Sequence, residues 1–254
     1  MDAFLVWLLH EAGLDPALYR GRCFMRRLSA CLRQLRAATP AEARRLLEAR
    51  PELLPVALDS VLLGVTQFFR DTSVFDAVRS QVLPELLATG QPVRIWSAAC
   101  SDGPELYSVA MLVADADGLS RCELLGTDCR PTAIQRAAAG LYATDALRFV
   151  HATHRKYFSD GGPLVRIVPE LRQAIRWQVH DLFTAPARGP WDLILWRNMS
   201  IYLEAAAGES LWRALDGELR PGGFLIAGKA DHPPRELGWS RVAPCVYRKS
   251  TYSP

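Results

Sequence analysis

The sequence has very little lysine, no CxxC pair and no long apolar run. The six cysteines are scattered, and such spacing predicts neither a metal site nor a disulfide framework, so we interpret them as reduced thiols of a cytoplasmic protein. The apolar stretch at residues 4–9 is too short for a membrane span and follows no basic segment. We interpret it as a helix of the fold, with no insertion into the membrane.

Positive charge is concentrated near the start of the chain, although the net charge of +3 is too small to indicate a nucleic-acid partner. Residues 18–36 contain no acid and six arginines: Arg20, Arg22, Arg26, Arg27, Arg33 and Arg36. This pattern is typical of a solvated helix face, and it also fits a docking face for an acidic partner. Aromatic residues do not interleave with these arginines, which argues against nucleic acid.

Two regions with different patterns follow one another along the 254 residues. The first 70 or so show apolar residues at helical spacing, and Thr39, Pro40 and Glu42 form a helix-start signal. From residue 72 onward apolar strands alternate with helices, which predicts a doubly wound, mostly parallel α/β sheet. The expected strands lie at 93–97, 123–127, 175–180, 192–196, 223–228 and 246–249.

The segment 141–169 interrupts this alternation. It is rich in aromatic residues, charges and glycine, and it is too long for a simple connection. We interpret it as a small insertion with short antiparallel strands, one of them at 164–168.

A turn of small residues follows the strand at 93–97, and small side chains let a ligand approach the backbone. The turn has one glycine, Gly103, whereas a dinucleotide fingerprint has three. This favours a cofactor with a nucleoside and an amino-acid tail, of which S-adenosylmethionine is the commonest. Asp128, at the end of the next strand, is expected either to bind the ribose hydroxyls or to cap the helix that follows.

A second set of polar residues follows the strand at 192–196, again at a carboxyl end. Arg197 is expected to be a site residue or one half of an ion pair. Asn198 is expected to cap a helical turn or to present its amide to a ligand. Tyr202 is expected to form a wall of the site or to belong to the core.

Several motifs, taken in order, resemble those of the chemotaxis receptor glutamate methyltransferases, the CheR family of class I S-adenosylmethionine-dependent methyltransferases. They cover nearly the whole chain, and the most specific is the Thr-x-Phe-Phe-Arg segment at 66–70. The matching segments are 65–70, 96–99 with Gly103, Glu105, Tyr107 and Ser108, 127–128, 139–142, 156–158, 197–198 with 201–202, and 221–223.

The resemblance implies a helical N-terminal domain and linker over residues 1–70. It implies a methyltransferase domain over 71–254, with a β-subdomain inserted at about 145–175. The implied activity is transfer of a methyl group from S-adenosylmethionine to glutamate side chains of a chemoreceptor, with S-adenosylhomocysteine as the product. The implied cofactor-binding residues are Thr66, Arg70, Ala98, Glu105, Asp128, Asp181, Leu182, Asn198 and Met199.

For the reaction, we expect Arg70 and Arg197 to orient the incoming carboxylate, because a guanidinium binds a carboxylate with two hydrogen bonds. Tyr202 is the third candidate catalytic residue. The cytoplasmic helices of a receptor, or a similar acidic protein, are expected to dock on the arginine-rich helix through Arg22, Arg26, Arg27 and Arg33. A receptor tail peptide is expected to pair with the β-subdomain.

Some positions depart from the family's usual pattern. Gly64 stands where the family usually has asparagine, Asp181 where an asparagine precedes leucine, and Lys229-Ala230-Asp231 where His-Ser-Glu is common. These departures keep two alternatives open. One is a related methyltransferase acting on another protein or a small molecule, and the other is a non-catalytic module that binds S-adenosylmethionine or a receptor.

Overall fold

A computed structural model describes residues 1–62, 64, 66–184 and 186–251, with only the backbone of 160 and 161. Four helices come first: α1 (Ala3–Glu11), α2 (Gly21–Leu35), α3 (Pro40–Ala49) and α4 (Leu54–Val61). The predicted start of α3 is observed. Thr39 Oγ1 accepts a hydrogen bond from Glu42 N at 3.2 Å, and Glu42 Oε2 accepts one from Ala38 N at 2.8 Å. These bonds satisfy backbone donors that the first helical turn leaves open.

The linker between α4 and the next helix leads into an alternation of helices and strands. Two short helices, joined by a π-helical segment at Val78–Val82, precede the first strand. The elements are α5 (Thr72–Ala77), α6 (Leu83–Ala88), β1 (Val93–Ala98), α7 (Pro104–Asp115), β2 (Cys122–Asp128), α8 (Pro131–Ala139), β3 (Leu141–Ala143), β4 (Phe158–Gly161), β5 (Leu164–Ile167), α9 (Pro169–Ala174), β6 (Ile175–Val179), β7 (Trp191–Trp196), α10 (Ala205–Glu218), β8 (Leu219–Ala227), β9 (Ser240–Ala243) and β10 (Val246–Arg248).

Seven strands form the main sheet in the order β6-β2-β1-β7-β8-β10-β9. The first five run parallel, while β10 is antiparallel to β8 and to β9. Successive residues of β1 enter different hydrophobic clusters, Ile95 one and Trp96 the other, so both faces of the sheet are covered. The predicted doubly wound, mostly parallel fold is confirmed. The strand order reverses between β1 and β7, which is where sheets of this kind bind ligands.

The N-terminal helices pack on one face of this sheet. Leu5 and Phe24 are buried in the same hydrophobic cluster as Trp96 and Trp196. The two parts of the chain therefore share a core, and the domain boundary at residue 70 stays a prediction. Among the described residues, we find no helix both long and apolar enough to cross a membrane.

The insertion is a three-stranded antiparallel sheet in the order β3-β5-β4. Strand β5 lies where a strand was expected, and the sheet begins at Leu141, where the break in the sequence pattern placed the insertion and ahead of the boundary near 145 that the resemblance implied. Gly140 ends α8 in the left-handed conformation (φ 59°), so the chain passes directly from that helix into β3. At the other end, residues 169–174 form α9 and belong to no strand.

Candidate cofactor and active site

A cleft of about 300 Å³ opens at the carboxyl ends of β1 and β7, where the strand order reverses. This volume is within the range of small-molecule sites. Every residue predicted to bind the cofactor or to take part in catalysis lines it: Thr66, Arg70, Ala98, Glu105, Asp128, Asp181, Leu182, Arg197, Asn198, Met199 and Tyr202. The fold thus brings the predicted site residues together, while their individual roles stay predictions.

Unusual backbone conformations are concentrated around this cleft. Five non-glycine residues in its turns have positive φ angles between 50° and 61°: Phe69, Asp71, Ala99, Ser101 and Asn198. Such conformations cost free energy and are found mostly where surrounding structure imposes them, often at functional sites. Here they occur in the linker and in the turns that follow β1 and β7.

Asp128 ends β2 and connects it to the turn after β1. Its Oδ2 accepts a hydrogen bond from Ser101 N at 2.9 Å, and its Oδ1 accepts one from Arg130 N at 3.0 Å. The side chain of Arg130 also donates to Asp128, with Nε 3.0 Å from Oδ1. Arg130, and not Asp128, occupies the N-cap position of α8. Asp128 therefore organises the turn rather than capping the helix.

Arg197 is buried and faces two carboxylates. Its Nη2 donates to Asp71 Oδ2 at 2.7 Å, and its Nη1 lies 2.9 Å from Glu105 Oε1. Burial raises the pKa of Glu105, although the positive charges of Arg197 and Arg70 oppose that effect. Arg197 thus links the linker to Glu105 at the first turn of α7, while its Nη1 makes no hydrogen bond within the described residues; its predicted role in orienting an incoming carboxylate stays a prediction.

Lys229 and Asp231 contact the segments that border the cleft. Lys229 Nζ lies 2.6 Å from Asp71 Oδ1. Burial raises the pKa of Asp71, but Lys229 and Arg197 more than offset it, so the pKa lies below its usual value. Asp231 is fully buried and accepts hydrogen bonds from Gly228 N at 2.9 Å, Ser200 N at 3.1 Å and the backbone of Asn198.

Two buried side-chain oxygens of the site lack hydrogen-bond partners within the described part of the chain. They are Thr66 Oγ1 and Asn198 Oδ1, and both residues line the cleft. Buried polar atoms in native proteins are nearly always hydrogen-bonded. A polar ligand in the cleft would supply the missing partners, so the residues present fit a cofactor with polar groups.

Tyr19 completes the site from the N-terminal segment. The backbone there is joined to the loop after β7, since Arg20 N donates to Tyr202 O at 2.8 Å and Glu204 N donates to Leu18 O at 2.9 Å. The tyrosine ring lines the cleft, and burial raises the pKa of its hydroxyl far above the ordinary value. Sequence reasoning missed Tyr19, because nothing in its local sequence marks it, and it noted Asp231 only as part of the Lys229-Ala230-Asp231 departure, without giving it a role.

The predicted docking arginines lie on α2. Arg22, Arg26 and Arg33 are exposed, while Phe24 and Cys31 are buried on the other side of the helix. Arg27 is half-buried between these two faces. Three of the four residues therefore form one exposed basic face.

Comparisons with known proteins agree with this geometry. Residues 64–247 match the family model of the CheR methyltransferase SAM binding domain. A chemotaxis protein methyltransferase of Listeria monocytogenes is 33% identical over 94% of this chain and 93% of that protein. Chemotaxis protein methyltransferase 1 of Pseudomonas aeruginosa is 29% identical over 91% of this chain and 89% of that protein. Among solved structures, the N-methyltransferase NodS of Bradyrhizobium japonicum matches with 17% identity and a TM-score of 0.35 over 78% of this chain and 70% of that chain, a likeness too low to support a conclusion.

Proposed function

Because the chain belongs to the CheR methyltransferase family, we propose that it methylates glutamate side chains of a chemotaxis-type receptor on the cytoplasmic side of the membrane. The observation that supports this most is the cleft at the carboxyl ends of β1 and β7, which is lined by every residue that the resemblance assigns to the cofactor. The cofactor of the family is S-adenosylmethionine.

The cleft offers complementary groups to that cofactor. Asp128 would accept hydrogen bonds from the two ribose hydroxyls, and Asp181 and Leu182 would lie beside the adenine. Thr66 Oγ1 and Asn198 Oδ1 would find polar partners in the bound molecule. When bound, S-adenosylmethionine supplies a methyl group on a positively charged sulfur, which becomes the neutral sulfur of S-adenosylhomocysteine as the ester's oxygen–carbon bond forms.

The protein's own contribution to the reaction is orientation and exclusion of water. A glutamate carboxylate is already a nucleophile at neutral pH, so no base is required. Opposite charges partly cancel as the reactants approach, and this is more favourable in a dry, pre-shaped site. Arg70, on the linker side of the cleft, would orient the carboxylate, while Arg197 would hold Glu105 and Asp71 in place.

Receptor docking would use the exposed basic face of α2. Glutamate-rich receptor helices would be steered towards Arg22, Arg26 and Arg33 by long-range attraction. In the three-stranded sheet, β3 and β4 are the edge strands, and a receptor tail peptide could add a further strand there.

The decisive experiment follows radiolabelled methyl groups from S-adenosylmethionine to membranes that contain candidate receptors. We expect label in the receptor band that is released as methanol by mild base, since an ester is labile to base. A panel of small carboxylic acids serves as the alternative acceptor. Label in the small acids alone would indicate a different methyltransferase, and binding of S-adenosylhomocysteine without any transfer would indicate a non-catalytic module.

A further inference from the structure

The carboxylate that we assign to the ribose already has four hydrogen-bond donors. Asp128 Oδ1 accepts from the backbone N and the Nε of Arg130, each at 3.0 Å. Asp128 Oδ2 accepts from Ser101 N at 2.9 Å and from Arg130 Nη2 at 3.4 Å. A carboxylate offers about four acceptor positions. Both side chains are buried, at 6% exposure for Arg130 and 7% for Asp128, so a ribose diol can bind Asp128 only if the guanidinium withdraws.

The guanidinium has other acceptors close by, in the segment that ends α4 and in the turn after β1. Arg130 Nη1 donates to Leu62 O at 2.8 Å, and Nη2 donates to Ser101 Oγ at 3.0 Å. Asp59 Oδ1, on α4, lies 3.6 Å from Nη1, just beyond hydrogen-bond length. Within the described residues this buried oxygen has no hydrogen-bond partner. An unpaired buried acceptor is costly, so a small shift of Arg130 towards Asp59 would be favourable.

Asp59 is held in an orientation in which it can accept a hydrogen bond from the shifted guanidinium. Its other oxygen, Oδ2, accepts from Thr132 Oγ1 at 2.7 Å and from Arg136 Nη1 at 2.8 Å, both on α8. Oδ1 is thereby turned towards Arg130. The carboxylate needs no reorganisation to accept the guanidinium.

Gly64 leaves the space in which the guanidinium lies. A Cβ atom at position 64 would be 3.0 Å from Arg130 Nη2 and 2.1 Å from Ser101 Oγ. A side chain there would therefore displace the network. The departure from the family's usual asparagine at Gly64 thus accompanies a buried arginine that fills the adjoining volume.

We propose that Arg130 is a positioning residue that exchanges Asp128 for Asp59 when the ribose of the cofactor binds. The exchange frees acceptor positions on Asp128 for the two hydroxyls. It also adds a contact to those that already join Asp59 of α4 to α8, so that cofactor occupancy tightens the packing of the N-terminal helices on the sheet. The inference rests on the proposed function only in taking Asp128 as the ribose ligand.

A double-mutant cycle tests the exchange, with the affinity for S-adenosylhomocysteine measured by calorimetry. Asp59→Asn is combined with Arg130→Met, and with Arg130→Gln in case the methionine variant folds poorly. We expect Asp59→Asn to weaken binding about tenfold when Arg130 is present. When Arg130 is replaced, we expect Asp59→Asn to change the affinity by less than about twofold, because no guanidinium is then present to pair with Asp59.

The matched control is Asp102→Asn. Asp102 also pairs with Arg136, at 3.0 Å, but among the described residues it makes no hydrogen bond or ion pair with Arg130, so the affinity of this variant should stay at the wild-type value. The same loss from Asp59→Asn in both backgrounds would overturn the proposal, as would no loss in the wild-type background. A crystal structure of the S-adenosylhomocysteine complex with the guanidinium still on Asp128 would overturn it as well. The cycle measures only the binding of S-adenosylhomocysteine, so it tests the exchange even if no receptor is methylated.

Discussion

Arg197 Nη2 lies 2.7 Å from Asp71 Oδ2, with the arginine side chain 1% exposed and the aspartate side chain 14% exposed. This ion pair joins the turn after β7 to the linker that precedes α5. The same guanidinium faces Glu105 in the first turn of α7. One buried cation therefore holds three separate segments of the chain at the edge of the cleft.

We expect Arg197→Lys to lower the free energy of unfolding by about 3 kcal/mol, because a single ammonium cannot meet both carboxylates of a buried cluster. Urea denaturation measures this loss. The control is Arg79→Lys, in an exposed pair with Asp76, where a change within about 0.5 kcal/mol is expected. Equal stability of the wild type and Arg197→Lys would show that the cluster does not need the two-pronged arginine.

Arg70→Ala should lower the turnover number at least about tenfold, because it removes the guanidinium that we assign to orienting the carboxylate. Initial rates of methyl transfer at saturating cofactor measure the effect. Arg45→Ala, on the exposed surface of α3, serves as the control and should retain the wild-type rate. A normally folded Arg70→Ala protein with unchanged turnover would rule out this role.

Gly64→Ala is expected to weaken binding of S-adenosylhomocysteine, because the new Cβ would be placed 2.1 Å from Ser101 Oγ. Adding Ser101→Gly should restore binding. It removes the clashing atoms, and glycine tolerates the positive φ of 53° at position 101.

Gly217→Ala, on α10, is the matched control, because its Cβ would meet no atom within 4 Å. That variant should bind normally and gain about 0.5–1 kcal/mol in stability, as expected for alanine in a helix. Unchanged affinity in Gly64→Ala would show that the linker can move away from Ser101 without affecting the cleft.

Reversing charge on the exposed face of α2 should impair docking. We expect the double variant Arg26→Glu/Arg33→Glu to raise the apparent KM for receptor membranes, with little change in kcat and with a weaker salt dependence than the wild type. Arg79→Glu/Arg213→Glu changes the net charge equally at other exposed sites and should leave KM near the wild-type value. Equal effects from both double variants would mean that net charge, and not this face, governs binding.

His154 predicts a pH dependence of stability. Its ring stacks on Phe69 with centroids 4.6 Å apart, and its Nε2 lies 3.1 Å from Asp115 Oδ2. Burial lowers the pKa of His154 below the ordinary 6.5, although Asp115 opposes this. Between 6.5 and that lower pKa the unfolded chain binds a proton that the folded chain does not. The free energy of unfolding should therefore fall as the pH falls through this window.

The measurement is urea denaturation at several pH values between about 5 and 8. His154→Phe keeps a ring against Phe69 and removes the titrating group, so the variant should show a shallower loss of stability with falling pH. His10→Gln, on the exposed side of α1, should keep the wild-type slope. Identical slopes in the wild type and His154→Phe would contradict the assignment.

Much of the fold could be predicted because it depends on local patterns. The helix-start signal at Thr39 and the alternation of apolar strands with helices both act over a few residues, and both are seen in the structure. The break in the pattern at residue 141 also marks where the insertion begins. The order in which its three strands pair was less accessible, because it depends on contacts of β5 with both β3 and β4.

The site residues divide in the same way. Those in recognisable motifs, such as Asp128 and Glu105, could be found from the sequence. The contacts of Tyr19, Arg130 and Asp231 could not, because each acts through a partner far away in the chain or through the shape of a turn.

The order of residues along the chain was enough to predict a doubly wound sheet and to place the site motifs at the carboxyl ends of its strands. Periodicity and turn chemistry are local properties, so the sequence carries them directly. Which charges meet was settled by packing. Arg197 lies between Asp71 and Glu105, and Arg130 lies between Asp128 and Asp59. A charge buried in a low-dielectric interior is costly unless it is paired, and only the folded chain brings these partners together.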